Sequence, residues 1–254
     1  MKSAVSNIAW DVDEDAAALA RLETAAIEAA PTRWWPDLMK VTREEALARA
    51  DKVCGFQALL FGRPELQVFG PDQGRACLDY LARVCDVASW CGARTLVFGS
   101  PRNRIRGTHD RQQGTAFFRE LGNIAAERGV VICVEANPAV YGGDYLLTSR
   151  EVAELVAEVD SPGVRMNLDT GELTTNGGDV AAILREVMPL VTHVHVSEPF
   201  LAPLNPANPV HEATAEALRG YQGFVSLEMK APEGGLPVVE QCWKEMLRIY
   251  FPEP

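Results

Sequence analysis

Short apolar runs alternate with amphipathic segments along the whole chain. Period-two and apolar patterns predict strands over residues 6–10, 25–31, 56–61, 95–100, 130–135, 164–169, 191–196 and 224–228. Helical patterns follow them, over residues 11–26, 42–54, 73–90, 114–129, 149–160, 180–188, 212–221 and 238–251. Eight strands that alternate with helices indicate parallel pairing with right-handed crossovers, and therefore an α/β chain folded as a (β/α)8 TIM barrel.

We predict a single domain over residues 1–254 because no linker or low-complexity segment interrupts this alternation. An open doubly wound sheet is the alternative fold. It is disfavoured because no glycine-rich phosphate-binding fingerprint follows the first predicted strand.

Each of the last four predicted strands carries a candidate metal ligand at or near its carboxyl end: Glu135, Asp169, His195 and Glu228. These residues lie 34, 26 and 33 positions apart. That spacing is close to the roughly 31 residues per unit expected if about 250 residues form eight units. The carboxyl ends of barrel strands meet on one rim, so the four side chains are expected to gather there. Any one of them could simply cap a strand, but four in register favour a functional site.

The side chains within these strands alternate in polarity. Residues two apart on a strand share a face. One face carries the pairs Cys133 and Glu135, Asn167 and Asp169, His193 and His195, and Ser226 and Glu228. The opposite face carries the apolar pairs Ile132 and Val134, Met166 and Leu168, Val194 and Val196, and Val225 and Leu227. We therefore expect the apolar face to pack under the helices and the polar face to point into the barrel.

Composition limits the class of partner. The chain has 254 residues with 47% hydrophobic residues and a net charge of −11. This acidic balance argues against nucleic acid, whose binding depends on Lys and Arg. No run is long enough to span a bilayer, and the first residues meet acids before any long apolar stretch, so we expect neither a membrane partner nor a signal peptide. Six cysteines without a C-x-x-C pair are typical of reduced, buried thiols, and we expect a cytoplasmic protein.

Other polar residues near predicted strand ends are candidates with two interpretations each. Arg102, Arg104 and Arg106 could hold a phosphate or carboxylate, or lie in a solvated loop. Glu28 could line the site or pair with a basic residue. The two tryptophans Trp34 and Trp35 could stack on a sugar ring, although loop packing or a subunit contact is the simpler use.

The histidines outside the ligand set have different expected positions. His193 shares a face with His195 one layer deeper, which favours a hydrogen-bonded partner of the site over a ligand. His211 lies at the end of a long segment that suggests a rim loop, where it could contact substrate, cap a helix or face solvent. His109 lies in a polar loop and is expected at the surface.

Four motifs, VEANP, NLDTG, HVHVSEP and SLEMK, surround the candidate ligands. They resemble the sugar phosphate isomerase/epimerase group of the xylose isomerase-like TIM barrels, a superfamily that also contains the AP endonuclease branch. The resemblance implies that Glu135, Asp169, His195 and Glu228 bind one divalent ion and that Glu135 and Glu228 are the catalytic acid and base. An oxygen-rich set with one imidazole suits Mn²⁺ or Mg²⁺, while Co²⁺ or Zn²⁺ is also compatible.

The resemblance also implies a reaction on a small, carbohydrate-like hydroxy-carbonyl compound. One glutamate would remove the acidified proton beside the carbonyl, the metal would hold the resulting enediolate, and the other glutamate would return a proton. Return to the same carbon gives epimerisation, and return to its neighbour gives aldose–ketose isomerisation. The sequence leaves open the sugar, its phosphorylation and whether the chain forms a homo-oligomer.

Two positions depart from the family pattern. Relatives often carry histidine where this chain has Glu172, and an acid where it has Tyr141. Both residues remain candidate substrate contacts, together with Arg102, His193 and His211. Two alternatives stay open at this point: a metal-dependent hydrolase or lyase, and a non-catalytic metal- or carbohydrate-binding barrel. A multi-zinc hydrolase needs several histidines, and this chain has four in total.

Overall fold

The computed structural model describes residues 1–23, 26–50 and 53–252. Its eight strands pair in parallel in chain order, and the last pairs with the first to close a barrel. The predicted (β/α)8 TIM barrel is confirmed. The strands are β1 (Lys2–Ser6), β2 (Ile27–Ala29), β3 (Val53–Phe56), β4 (Thr95–Phe98), β5 (Val131–Glu135), β6 (Val164–Asp169), β7 (Val191–Val196) and β8 (Phe224–Leu227).

Helices connect the strands around the outside of the barrel. Polar caps start several of them; before the helix Ser149–Val159, for example, Thr148 Oγ1 accepts a hydrogen bond from the Glu151 amide at 3.2 Å. No helix in the described part of the chain is long and apolar enough to cross a membrane. The α-helices are α1 (Asp15–Leu22), α2 (Pro31–Trp34), α3 (Arg43–Leu47), α4 (Arg75–Cys91), α5 (Arg111–Glu127), α6 (Ser149–Val159), α7 (Thr170–Asn176), α8 (Val180–Val187), α9 (Pro209–Ala217) and α10 (Leu236–Tyr250).

The main apolar core lies between the strands and these helices. The outward-facing side chains of Ile132, Val134, Met166, Leu168 and Val194 are fully buried in one apolar cluster. Their burial confirms the predicted apolar face. All six cysteines are buried free thiols.

Pairing in the second half of the barrel sets the ligand positions. Glu135 pairs with Asn167, and Asp169 pairs with His195. His195 in turn pairs with Ser226, two residues before Glu228. Because adjacent strands hold these residues at matched heights, their side chains reach the same end of the barrel.

The first two element boundaries differ from the prediction. Residues 6–10 were predicted as a strand, which is wrong, because β1 ends at Ser6. There the Ser6 hydroxyl accepts the Ile8 amide at 3.4 Å and starts a short 3-10 turn over Asn7–Ala9. β2 covers only the centre of the predicted strand 25–31, of which residue 25 lies outside the described residues.

The third strand is also displaced from its predicted place. The predicted helix 42–54 ends early, at Leu47, and β3 occupies residues assigned to that helix and to the strand 56–61. Residues 51 and 52 lie outside the described part. Gly55 permits the close approach of β3 and β4, because a Cβ there would lie 2.6 Å from Thr95 Oγ1. Beyond β3 the chain turns at Ala58, whose φ is +51°.

Candidate metal centre

Four side chains meet at the carboxyl-terminal end of the barrel. Glu135 ends β5, Asp169 ends β6, His195 lies near the end of β7 and Glu228 directly follows β8. One ligand atom from each lies within 4.8 Å of the other three. The side chains are almost completely buried, since each residue is at most 8% exposed. The structure therefore brings together the complete ligand set that the sequence predicts.

The two nitrogens of His195 have different partners. Nε2 lies 3.0 and 2.9 Å from the two carboxylate oxygens of Glu28. Nδ1 lies 2.9 Å from Glu135 Oε2 and 3.2 Å from Glu228 Oε2, but has no hydrogen-bond partner in the described structure. A carboxylate that accepts the Nε2 proton leaves the Nδ1 lone pair free to bind a metal. This buried, unpartnered nitrogen among carboxylates fits a cation site.

Amide groups orient Glu135. Asn137 Nδ2 donates to Glu135 Oε1 at 2.9 Å, and Asn167 Nδ2 donates to Oε2 at 2.7 Å. Gly99, directly after the neighbouring strand β4, leaves space for the carboxylate, since a Cβ there would lie 2.4 Å from Glu135 Oε1. Asn167 lies on the predicted polar face, whereas Asn137 was not among the predicted site residues. The signal was available, because Asn137 also lies two residues from Glu135.

Asp169 is held from the β7 side and from α7. Ser197 Oγ donates to Asp169 Oδ2 at 2.8 Å, and the Glu172 amide donates to Oδ1 at 2.6 Å. The second bond makes Asp169 the cap of α7, a helix that the hydrophobic pattern did not indicate. The same oxygens can still bind a cation, because each carboxylate oxygen has more than one lone pair.

The charges of the cluster are unbalanced without a cation. Burial and the nearby charges of Glu135 and Glu228 raise the pKa of Asp169 well above its usual range. Burial alone would lower the pKa of His195, but the charges of Glu228 and Glu28 outweigh it and raise that pKa well above its usual value. Three carboxylates and one imidazole form a donor set that suits a hard or borderline divalent ion.

A pocket of about 710 Å³ opens above the cluster. This volume lies within the range of small-molecule sites. Its lining includes the four candidate ligands and three of the predicted substrate contacts, Arg102, Tyr141 and Glu172.

Glu172 already has partners inside the protein. Its carboxylate accepts hydrogen bonds from the Ser149 amide at 3.2 Å, the Ser149 hydroxyl at 2.6 Å and Asn176 Nδ2 at 2.8 Å. Burial raises the pKa of this carboxyl group. Glu172 therefore joins α7 to the start of α6 and borders the pocket from there.

Two predicted substrate contacts lie away from this pocket lining. His193 is completely buried, with Nε2 3.0 Å from Glu28 Oε1 and Nδ1 3.3 Å from Thr95 Oγ1. This position matches the expected hydrogen-bonded partner and does not support substrate contact. His211 also does not reach the pocket as predicted, because its ring is buried between Glu198 Oε1, 2.8 Å away, and the Tyr250 hydroxyl, 2.9 Å away.

The three arginines after β4 have separate positions. Arg102 lines the pocket, whereas Arg104 is fully buried. The Arg104 guanidinium donates to Asn137 Oδ1 and to the Leu146 carbonyl, each at 3.3 Å, and burial lowers its pKa to about 10. An anion-binding role for Arg104 is therefore wrong; it supports the amide that orients Glu135. The Arg106 amide donates to Asp144 at 2.6 Å.

The remaining candidates, His109 and the two tryptophans, lie outside the site, as the simpler interpretation of each residue predicts. His109 is exposed. Trp34 donates to Asp15 Oδ2 at 2.6 Å, and Trp35 packs against Phe56 with ring centroids 6.4 Å apart. Neither tryptophan is part of the pocket lining.

Comparisons with known proteins agree with this fold. The chain is 30% identical over 142 residues to D-psicose 3-epimerase from Enterocloster bolteae, an alignment that covers 54% of this chain and 46% of that enzyme. The matched part of the chain therefore spans less than half the length of this curated relative.

Two solved structures match nearly the full chain. The 3-keto-D-glucoside 4-epimerase from E. coli has a TM-score of 0.79 at 17% identity, covering 98% of this chain and 99% of that one. The D-psicose 3-epimerase with D-tagatose from Clostridium cellulolyticum H10 has a TM-score of 0.74 at 18% identity, covering 98% and 96%.

The family assignment comes from a match along most of the sequence. The family model of the xylose isomerase-like TIM barrel matches residues 16–248. All four candidate ligands lie within this range. The chain belongs to the xylose isomerase-like TIM barrel family.

Proposed function

We propose that this protein is a metal-dependent epimerase or isomerase of a small sugar or sugar-like hydroxy-carbonyl compound. The observation that carries the proposal is the convergence of Glu135, Asp169, His195 and Glu228 at the buried end of an open pocket. The names of the relatives support it, since the curated relative and both matched structures are sugar epimerases. Manganese or magnesium is our preferred metal, and the cytoplasm our preferred location.

The four ligands would hold one divalent cation. A cation bound there would polarise the substrate carbonyl and acidify the neighbouring C–H bond. Three carboxylates leave a bound dication with a net charge of about −1, which suits a neutral substrate that supplies hydroxyl or carbonyl oxygens.

Glu135 and Glu228 are the two glutamates of the cluster and the proposed acid–base pair. Burial would raise the pKa of Glu135, but the adjacent charge of His195 and the hydrogen bond from Asn137 outweigh it and lower that pKa. Burial raises the pKa of Glu228. Both carboxylates lie in the ligand cluster beside the pocket, where each can reach a bound substrate. We assign them as the acid–base pair, written here with Glu135 as base and Glu228 as acid in one direction and the roles exchanged in the reverse direction.

The stereochemical outcome depends on where the second proton arrives. Glu135 removes the proton from the carbon beside the carbonyl, and the electron pair forms an enediol-type intermediate. Glu228 then donates its proton from the opposite face. Return to the same carbon inverts it, while return to the former carbonyl carbon, with one proton passing from the neighbouring hydroxyl to the former carbonyl oxygen, exchanges aldose and ketose.

The single-imidazole site disfavours a multi-zinc hydrolase. In the described part of the chain, His195 is the one histidine of the four-residue cluster, whereas His193 lies against Glu28 and Thr95 and His211 against Glu198 and Tyr250.

The test is solvent hydrogen exchange. The protein, loaded with Mn²⁺ and separately stripped by chelation, is incubated in D₂O with a panel of ketoses and aldoses. NMR should show deuterium at one carbon beside the carbonyl with loaded protein, and elemental analysis should give one ion per chain. A loaded, folded protein that labels no sugar in the panel would contradict the proposal.

A further inference from the structure

The pocket is larger than the metal cluster requires. At about 30 Å³ per water, its 710 Å³ corresponds to roughly 24 waters, about twice the number of non-hydrogen atoms in a hexose. The ligands occupy its buried end, because Glu135, Asp169 and Glu228 are only 7–8% exposed. A monosaccharide held at that end would leave the outer part of the pocket unfilled.

Aromatic side chains line this outer part. Phe61, in the loop after β3, is 73% exposed, and Phe200, in the loop after β7, is 59% exposed. β3 and β7 stand on opposite sides of the eight-stranded ring. Tyr141 lies against Phe200, with ring centroids 5.3 Å apart and the rings at 87°. We call Phe61, Tyr141 and Phe200 the aromatic mouth.

The backbone holds the aromatic mouth at a conformational cost. Ala58, Phe200 and Leu201 all line the pocket with left-handed φ values of +51°, +60° and +54°. Non-glycine residues rarely adopt this conformation, and it is concentrated at ligand clamps and functional sites. The Phe200 amide donates to the Tyr141 hydroxyl at 2.9 Å, which helps to hold the loop in place. Two loops thus carry strained residues beside an exposed phenylalanine.

Two cations complete the outer part of the pocket. Arg102 and Lys230 line it from the loops after β4 and β8, and in the described residues neither side chain has a hydrogen bond or ion pair. Guanidinium and ammonium groups are donors to hydroxyl oxygens. Aromatic faces beside free donors match a sugar ring, which has apolar C–H faces and a polar edge.

We propose that the aromatic mouth is a subsite for a second sugar ring and that the preferred substrate is a glycosylated sugar. This inference rests on the proposed function, because the reacting sugar would occupy the metal end. Phe61 and Phe200 would pack on the second ring, while Arg102 and Lys230 would donate to its hydroxyl groups. A free ketose would be processed less efficiently because it leaves these contacts unmade.

The experiment compares D-fructose with its glucosyl derivatives linked through O1, O3, O4, O5 or O6. Deuterium exchange with the Mn²⁺-loaded protein gives kcat/KM, and calorimetry gives Kd. We expect at least one linkage isomer to exceed fructose by about tenfold in both measurements, which corresponds to about 1.4 kcal/mol. Phe61→Ala and Phe200→Ala should each remove most of that advantage and leave the values for fructose within about twofold.

Val140→Ala is the matched control. Val140 is 58% exposed beside Tyr141 but does not line the pocket, so this variant should keep the full preference. Exchange into fructose with no preference for any isomer would overturn the subsite while leaving the proposed function standing. Absence of exchange from every sugar would count against the proposed function, and calorimetry would still decide the subsite. If no glucosyl-fructose binds more tightly than fructose, the proposed subsite is overturned.

Discussion

The two halves of the barrel contribute differently to the site. All four candidate ligands lie on strands β5 to β7 or directly after β8, and β6 and β7 are six residues long. Strands β1 to β4 carry none, and β2 has only three residues. Yet β2 supplies Glu28, which bonds both His193 and His195, and β4 supplies Thr95 beneath them. One half presents the candidate ligands, and the other orients His195 and builds part of the pocket wall.

The largest effect is expected at the two glutamates of the half that runs from β5 to β8, which we call the ligand-bearing half. Glu135→Gln and Glu228→Gln keep the side-chain size and remove the proton-transfer group. We expect each to lower kcat by about 100- to 10,000-fold, the usual contribution of general acid–base catalysis, with a further loss from weaker metal binding. Turnover of the sugar found in the exchange screen measures the effect.

Glu212→Gln is the control for these substitutions. Glu212 is exposed on α9, so its amide variant should turn over at the normal rate. Normal turnover by Glu135→Gln or Glu228→Gln would refute the assignment of that residue as acid or base.

A substitution of Glu28 tests the contribution of the half from β1 to β4, which we call the supporting half. It is completely buried, and although burial raises its pKa, the charges of His195 and His193 outweigh this and lower it below the usual range. Glu28→Gln should therefore weaken the fixed orientation of His195. Loss of such an outer partner usually costs about 10- to 100-fold in metal affinity. Calorimetric titration with Mn²⁺ measures it, with circular dichroism as the check on folding.

Glu172→Gln is the matched variant for this titration. Glu172 is also buried and borders the pocket, but its carboxylate bonds Ser149 and Asn176 and not a ligand. We expect its Mn²⁺ affinity to stay within about twofold and its unfolding free energy to fall by about 1 kcal/mol. Equal losses of affinity in Glu28→Gln and Glu172→Gln would remove the special role of Glu28.

The two halves of the barrel also differ in how accurately their strand boundaries were predicted from the sequence. In the second half, the strands from β5 to β8 lie within one residue of their predicted bounds, because a polar ligand ends each apolar run. In the first half, residues 6–10 and 56–61 have equally good strand patterns, but only their first residues, Ser6 and Phe56, lie in strands. Whether these residues form strands depends on tertiary contacts, such as the close approach of Gly55 to Thr95, and a local sequence pattern does not predict such contacts.

The same limit applies to the polar residues of the site. The side of the strand on which Glu28 lies follows from period two, but its partner His195 is 167 residues away in the chain. His211 was predicted in a rim loop, whereas contacts with Glu198 and Tyr250 bury it. Spacing predicts which ligands share a rim. It does not predict long-range pairs, because those depend on how side chains cross the barrel interior.

Protonation of the ligand set gives the smallest expected effect. The pKa of His195 is raised above its usual value of 6.5 in the folded protein, so the metal-free fold holds more protons than the unfolded chain above that pH. This contribution to stability is complete below pH 6.5 and is lost as the pH rises through the raised pKa. The metal-free protein should therefore become less stable over that window.

Metal binding should reverse this dependence, because a cation and a proton compete for His195 Nδ1. Mn²⁺ affinity should rise by up to about tenfold per pH unit for each proton released. Thermal unfolding of loaded and chelated protein should show a difference in midpoint that widens with pH, and calorimetry in buffers of different ionisation enthalpy counts the protons. Glu28→Gln should flatten the slope, since the Glu28 charge helps to raise this pKa. A Glu28→Gln variant with the unaltered slope would show that the supporting half orients His195 without tuning its charge.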